Sequence, residues 1–317
     1  MVSPIRLANV DYFGRLGGLV ALAALDQQVK AKFGSVRQTS KRTRKRCVMH
    51  FLIAGAGDLG SRVAHSLRAQ GATVSAISRS GGDGRIAADL SSATAIAKLV
   101  ARADAIIFTA APAERSEQAY RALFIQGVQN IIRTRGLQPL FFCSSTAVYG
   151  QNDGSWVDES TPTKPSACNG RILLEAESLM RAGDISLRLG GIYGPRFSTA
   201  SGQSSVRDFA RRQAISGVAP LAQHWTNRIH LADAASAILF ALKLKNPPPT
   251  LNLVDNEPCT QQALYDSQRI AAGLTPIPPI AATESGKRVA NTRLRALGFV
   301  CEYPSYREGY ASLSGAK

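Results

Sequence analysis

Four apolar residues, Phe51-Leu52-Ile53-Ala54, run directly into Gly55-Ala56-Gly57-Asp58-Leu59-Gly60. Beyond that turn Val63, Ala64 and Leu67 recur at helical spacing until Gly71. A short apolar run bounded by turn residues reads as a buried strand, and the three-to-four spacing after it as one face of a helix. The alternation continues along the chain. Thr73–Ile77 is a second strand, Ile86–Asp89 a short third, Ala93–Val100 a helix and Ala105–Phe108 a fully buried strand. From Ser116 to Arg135 the residues Tyr120, Leu123, Phe124, Val128, Ile131 and Ile132 share one face, which predicts a single amphipathic helix ended by Gly136. Leu140–Cys143 is the next buried strand, Asn169–Arg181 the next helix, and Ile185–Leu189 an alternating sixth strand. Strands alternating with helices predict an α/β fold, a doubly wound parallel Rossmann sheet covered on both faces.

The texture changes after residue 190. Residues 196–204 are polar and rich in Ser and Gly, as in a loop; Leu231–Leu244 is a helix stopped by Pro247-Pro248-Pro249. Leu251–Val254 reads as a short strand, with helices near Gln261–Ala272 and Arg288–Leu297. The expected organisation is a basic, disordered extension over 1–48, a first domain over 49–190 and a smaller C-terminal lobe over 191–317.

A G-x-G-x-x-G run that follows a strand and opens a helix is the context of a dinucleotide site. Gly55 allows the tight turn, Gly57 lets backbone approach a pyrophosphate, and Gly60 lets helix and strand pack closely; Asp58 and Leu59 begin the helix whose positive end faces the phosphates. NAD-selective sites carry a carboxylate past the second strand for the ribose 2′-OH. Here that strand ends in Ser78-Arg79-Ser80. A guanidinium at Arg79 favours the 2′-phosphate of NADP, with NAD as the alternative.

Composition narrows the field. Apolar residues make up 45% and charged residues 19%, ordinary for a folded globular protein. Five scattered cysteines with no C-x-x-C pair, and four histidines without metal spacing, argue against a disulfide framework or a metal site and fit a reducing cytoplasm. Of the formal charge of +16, residues 1–48 supply ten Lys/Arg against Asp11 and Asp26. No aromatic residues interleave the cluster Lys41–Arg46, so a solvated arm is favoured over nucleic-acid binding. The apolar run Leu16–Leu25 is too short for a bilayer span, which needs ~20 residues. It reads either as the core of a targeting peptide or as sequence upstream of a natural start at Met49, and the strand that opens right after Met49 favours the second. The expected partners are a small-molecule substrate and at most a second copy of the chain, in a homodimer; no nucleic acid, membrane or metal is expected.

Several further segments join the glycine turn in a specific order: Ala88-Asp89-Leu90, Phe108-Thr109-Ala110-Ala111-Pro112, Ser144-Ser145-Thr146-Ala147-Val148-Tyr149-Gly150, Arg188-Leu189-Gly190-Gly191-Ile192-Tyr193-Gly194-Pro195 and Arg228-Ile229-His230-Leu231-Ala232-Asp233. Together they resemble the extended short-chain dehydrogenase/reductases, the NAD-dependent epimerase/dehydratase family, over about residues 49–313. The resemblance implies that Asp89 and Leu90 contact the adenine. It also implies that Thr109, Ala110, Ala111, Ser144 and Gly191 line the cofactor and that Ser145 hydrogen-bonds the reacting oxygen. His230 and Asp233 fit better as a helix start with a carboxylate near its positive end than as catalytic groups.

The catalytic pair departs from the family. It places a tyrosine four residues before a lysine, with a glutamate four further on; anchored on Glu175, these positions hold Ala167 and Arg171. Alanine transfers no proton, and arginine stays charged but can fork to ribose hydroxyls. The substitution resembles an atypical bacterial branch, the YeeZ-like proteins. Tyr149, Cys168 and Tyr193 are the candidates to replace the tyrosine, with Ser145, Arg171 and Tyr149 as the expected catalytic set. The implied reaction is hydride transfer on a carbonyl or sugar-nucleotide substrate; the competing expectation is an NADP(H)-binding sensor without turnover.

Overall fold

The computed structural model describes residues 48–197 and 206–314. The basic segment before residue 48 and most of the polar loop after 196 lie outside the described residues. Seven strands form the central sheet: β1 (His50–Ala54), β2 (Thr73–Ser78), β3 (Ile86–Ala87), β4 (Ala105–Phe108), β5 (Leu140–Ser145), β6 (Ile185–Leu189) and β7 (Thr250–Leu253). All pair in parallel, in the order β7-β6-β5-β4-β1-β2-β3. The order reverses between β1 and β4, and such a switch point opens a crevice at the carboxyl ends of the strands.

Strand periodicity divides the core in two. Phe51 and Ile53 of β1 face one apolar cluster with Ala105, Ile107, Phe141 and Leu187. Leu52 and Ala54 face the other with Ile106, Phe108 and Phe142. Helices cover both faces, so the inner strands β1, β4 and most of β5 are apolar on both sides. β6 departs from the expected alternation: all five residues are buried, because β5 and β7 flank it. Its Arg188 is accommodated by Glu177, 2.7 Å away, and by the Tyr149 hydroxyl at 2.9 Å.

A buried ion pair ties the starts of β5 and β6 together. Arg135 forks onto both oxygens of Asp184 at 2.6 and 2.5 Å, with both side chains 2% exposed. The same carboxylate accepts the N–H groups of Leu140 and Arg181.

The helix expected from Ser116 to Arg135 is broken in register. It starts as α-helix at Glu117–Tyr120, widens to a π-helical stretch at Arg121–Gly127 and returns to α-helix at Val128–Thr134. π-Helical turns re-aim side chains and recur at functional sites. The expected helix over Arg288–Leu297 is also corrected. Arg288–Val289 pairs as a strand with Trp156–Val157, and only Thr292–Ala296 is helical. Two further three-stranded sheets and the helices Phe209–Ile215, Gln261–Ala271 and Tyr306–Ser314 build the smaller lobe. Its core is aromatic: Tyr193, Tyr265, Tyr306 and Tyr310 cluster with Leu264 and Cys259.

Candidate dinucleotide and substrate site

A cleft of about 1070 Å³ runs along the carboxyl ends of the parallel strands. The turn after β1 supplies Gly55, Gly57, Asp58 and Leu59, and the end of β2 supplies Ser78, Arg79 and Ser80. Ala88, Asp89 and Leu90 follow β3; Thr109, Ala110 and Ala111 follow β4; Ser144 and Ser145 end β5. These expected positions, scattered over ninety residues of sequence, thus share one cavity.

The three glycines differ in what surrounds them. Gly55 has φ +108°, and an added Cβ would stand 2.3 Å from the Ala110 backbone. At Gly60 a Cβ would meet the Gly55 carbonyl oxygen at 2.2 Å and Thr109 Oγ1 at 2.5 Å. Thr109 itself donates to the Gly55 carbonyl at 2.7 Å, latching the turn to β4. At Gly57 a Cβ would meet nothing within 4 Å. No side chain caps the helix Asp58–Ala69 that starts there. A bare helix start beside an open, side-chain-free position fits a pyrophosphate.

The adenosine end also fits. Asp89 Oδ1 accepts from the Ser91 backbone and hydroxyl, which holds its carboxyl below the usual value and its orientation fixed. Arg79 is exposed at the end of β2. The sequence reading missed Arg85: it pairs with Asp83 at 2.7 Å, reaches the Ala56 carbonyl at 3.5 Å and lines the cleft. Its only sequence signal was a second arginine six residues after Arg79. At the other end, the Ser144 hydroxyl is buried without a hydrogen bond among the described residues, an orphaned polar atom beside the cavity. Ser145 accepts from Ala147 N, which caps the short turn Thr146–Val148.

The remaining catalytic candidates lie elsewhere. Tyr149 is 1% exposed, donates to Asn252 Oδ1 at 2.9 Å and accepts from Arg188; burial pushes its phenol up. Tyr193 is buried in the smaller lobe, stacked on Tyr310 at 4.3 Å, and burial raises it as well. The Cys168 thiol is raised by its hydrogen bond with Glu117, the reverse of an activated thiolate. Arg171 does not line the cleft; its guanidinium donates to the Ser166 carbonyl. Ala167 stands just before the helix Cys168–Glu177 and makes no side-chain capping hydrogen bond. Glu175 pairs with Arg121 at 3.1 Å. Pairing within the fold, local for Arg171 and long-range for the others, thus absorbs the polar groups that spacing alone left available. The tyrosine that does line the cleft is Tyr120, missed by the sequence reading because it sat on an apolar helix face. It precedes the π-helical stretch, and among the described residues its hydroxyl makes no hydrogen bond. Gly191 borders an adjoining second cleft rather than the first. His230 Nδ1 caps the helix Leu231–Ala241 and Asp233 stands in its first turn; its carboxylate also accepts from Glu302 N and Tyr303 N, partners that the sequence did not suggest.

The second cleft, about 920 Å³, lies between the glycine turn and the smaller lobe. Arg228 and Asp208 pair at its floor at 2.8 Å, and Tyr310 joins both. Nearby, burial pushes the Asp255 carboxyl up to about 8, and its Oδ2 has no hydrogen bond among the described residues. An unfolded carboxyl titrates near ~4. Between about pH 4 and about pH 8 the folded chain therefore holds a proton that the unfolded chain releases, so stability falls as pH rises through that window. Asp255→Asn is expected to match the wild type in melting temperature at about pH 4 and to exceed it at about pH 9. Parallel pH profiles for the two proteins would contradict this.

Among the described residues no group of His, Cys, Asp and Glu is placed to hold a metal, and no helix is long and apolar enough to cross a membrane. Among curated proteins none matches the chain. Among solved structures, a Methylobacillus flagellatus protein assigned as an NAD-dependent epimerase/dehydratase is 31% identical, with a TM-score of 0.71 over 84% of this chain and 97% of that one. A short-chain dehydrogenase/reductase superfamily protein from Agrobacterium tumefaciens with bound NAD is 21% identical, with a TM-score of 0.69 over 84% and 96%. A human epimerase family protein with NADPH is 18% identical, with a TM-score of 0.66 over 84% and 99%. At their identities the last two report the fold alone. The family model for the NAD dependent epimerase/dehydratases matches residues 51–253, from the first buried strand to the last strand of the sheet. With that match and the 31% identity to the Methylobacillus protein, the chain belongs to the NAD dependent epimerase/dehydratase family.

Proposed function

We propose that this chain binds NADP(H) and transfers hydride at a carbonyl or carbinol carbon of a small molecule of the sugar-nucleotide type, without the family's tyrosine. The observation that carries the reading is the single cleft that joins the glycine turn, Arg79 and Ser145. Bound NADP(H) supplies or accepts the hydride. Gly57 and the helix start hold the pyrophosphate, Arg79 forks onto the 2′-phosphate, and Asp89 and Leu90 border the adenine. Ser145 donates to the reacting oxygen and polarises it. Tyr120 takes the place of the missing tyrosine as the proton donor facing the cleft, in a chain of the YeeZ-like type. Residues 49–190 form the cofactor domain and 191–317 the substrate lobe.

Cofactor choice is the direct test. A charge-assisted contact contributes ~1.5–3 kcal/mol, which predicts at least about tenfold tighter binding of NADPH than NADH. Arg79→Ala should remove most of that preference, and Ser78→Asp should reverse it by placing a carboxylate against the phosphate. Nicotinamide fluorescence titration reads both; equal affinities in the wild type would refute the role given to Arg79.

A second reading, an NADP(H)-responsive sensor without turnover, is favoured by one observation: Ala167 and Arg171 present no proton relay to the cleft. Slow turnover abolished by Tyr120→Phe but not by Tyr149→Phe would decide for the enzyme.

A further inference from the structure

Five arginines line the second cleft, Arg85, Arg115, Arg196, Arg212 and Arg228, against two carboxylates, Asp58 and Asp208. Arg115, from the loop after β4, and Arg212, on the helix Phe209–Ile215, both line it. They approach the same ring from the two lobes: their guanidinium carbons lie 5.1 and 6.0 Å from the centroid of Phe209. Phe209 is itself 52% exposed. The other arginines of the cleft are committed differently, Arg228 to Asp208 at 2.8 Å, Arg85 to Asp83 at 2.7 Å and Arg196 to Asp58 at 3.5 Å. Among the described residues neither Arg115 nor Arg212 has an acidic partner. Two like charges on one ring repel, and stacking on the ring leaves their N–H forks unused. An oxyanion between them would cancel the repulsion and satisfy both forks, a geometry that guanidinium groups match bidentately.

We infer that the second cleft holds an oxyanion group of the substrate, a phosphoryl or carboxylate group, clamped between Arg115 and Arg212 across the Phe209 ring. The inference rests on the proposed function only for orientation: the anionic end sits in the second cleft and the reacting carbon points towards Ser145 in the first. Because the two arginines come from different lobes, binding the anion draws the lobes together over the cofactor.

The test is calorimetric titration of the full chain saturated with NADPH, using inorganic phosphate and malonate as separate probes. One of them should bind with a single site per chain. Preference for phosphate identifies a phosphoryl group, and preference for malonate a carboxylate. Arg115→Gln combined with Arg212→Gln should weaken that probe at least tenfold at an unchanged melting temperature, and Arg212→Gln alone, outside the dinucleotide cleft, should weaken it while leaving NADPH affinity unchanged. Lys98→Gln combined with Arg133→Gln removes the same charge outside both clefts and should change anion affinity less than twofold. The inference is overturned if neither anion binds, if the clamp variant binds as the wild type does, or if the control variant loses as much. If NADPH itself fails to bind, the cofactor reading falls, and the same anion titrations on the chain alone still decide the clamp.

Discussion

Asp184→Ala is expected to lower the folding free energy by about 3–5 kcal/mol, the usual cost of leaving one member of a buried ion pair alone. Arg135 would keep its charge at a site where its side chain is 2% exposed. The N–H groups of Leu140 and Arg181 would lose their acceptor as well. These groups stand at the starts of β5 and β6, so the loss falls on the middle of the sheet rather than its rim. Asp184→Asn keeps an acceptor but not the charge, and should fall between alanine and the wild type. Urea unfolding measures all three. A cost for alanine below about 1 kcal/mol, the range of an exposed pair, would show that water reaches the site and that the pair is not structural.

The second large effect separates two glycines three residues apart. Gly57→Val should fold normally, since its φ is −77° and its Cβ direction is open, yet lower NADPH affinity by roughly a hundredfold or more. The valine would stand in the space the pyrophosphate must enter. Gly60→Val should do the opposite first: with backbone 2.2 Å from its Cβ, the helix must leave β1, at a cost of about 3 kcal/mol or more. Melting temperature and fluorescence titration distinguish them. A Gly57→Val protein that binds NADPH like the wild type would remove the turn from the cofactor site; a Gly60→Val protein of normal stability would remove it from the helix–strand contact.

Sequence periodicity was sufficient wherever an element is held by its own residues. The strands around Leu52, Ile107 and Phe141 are apolar on both faces because helices cover both sides of the sheet, and an unbroken apolar run records that directly. The glycine turn was legible for a related reason: Gly55 at φ +108° and Gly60 against a carbonyl are backbone demands that only one residue type meets.

Short-range pattern failed where distant segments make the decision. The helix expected over Arg288–Leu297 gave way to a strand because Val289 pairs with Val157, far away in the chain. Spacing also offered Tyr149, Tyr193, Cys168 and Arg171 as chemistry. Tyr149, Tyr193 and Cys168 are taken up by partners that sequence distance conceals, Asn252 and Arg188, Tyr310, and Glu117, while Arg171 turns back onto the Ser166 carbonyl five residues before it. Tyr120, Arg85 and the Arg115–Arg212 pair came to notice only in three dimensions, because a cleft is defined by which chain ends meet across it. The sequence by itself therefore determined the parallel sheet and its dinucleotide turn, which local burial and backbone geometry encode. Only the tertiary structure decided which polar side chains face the cleft, because a polar group's availability depends on whether a distant neighbour has already satisfied its hydrogen bonds or its charge.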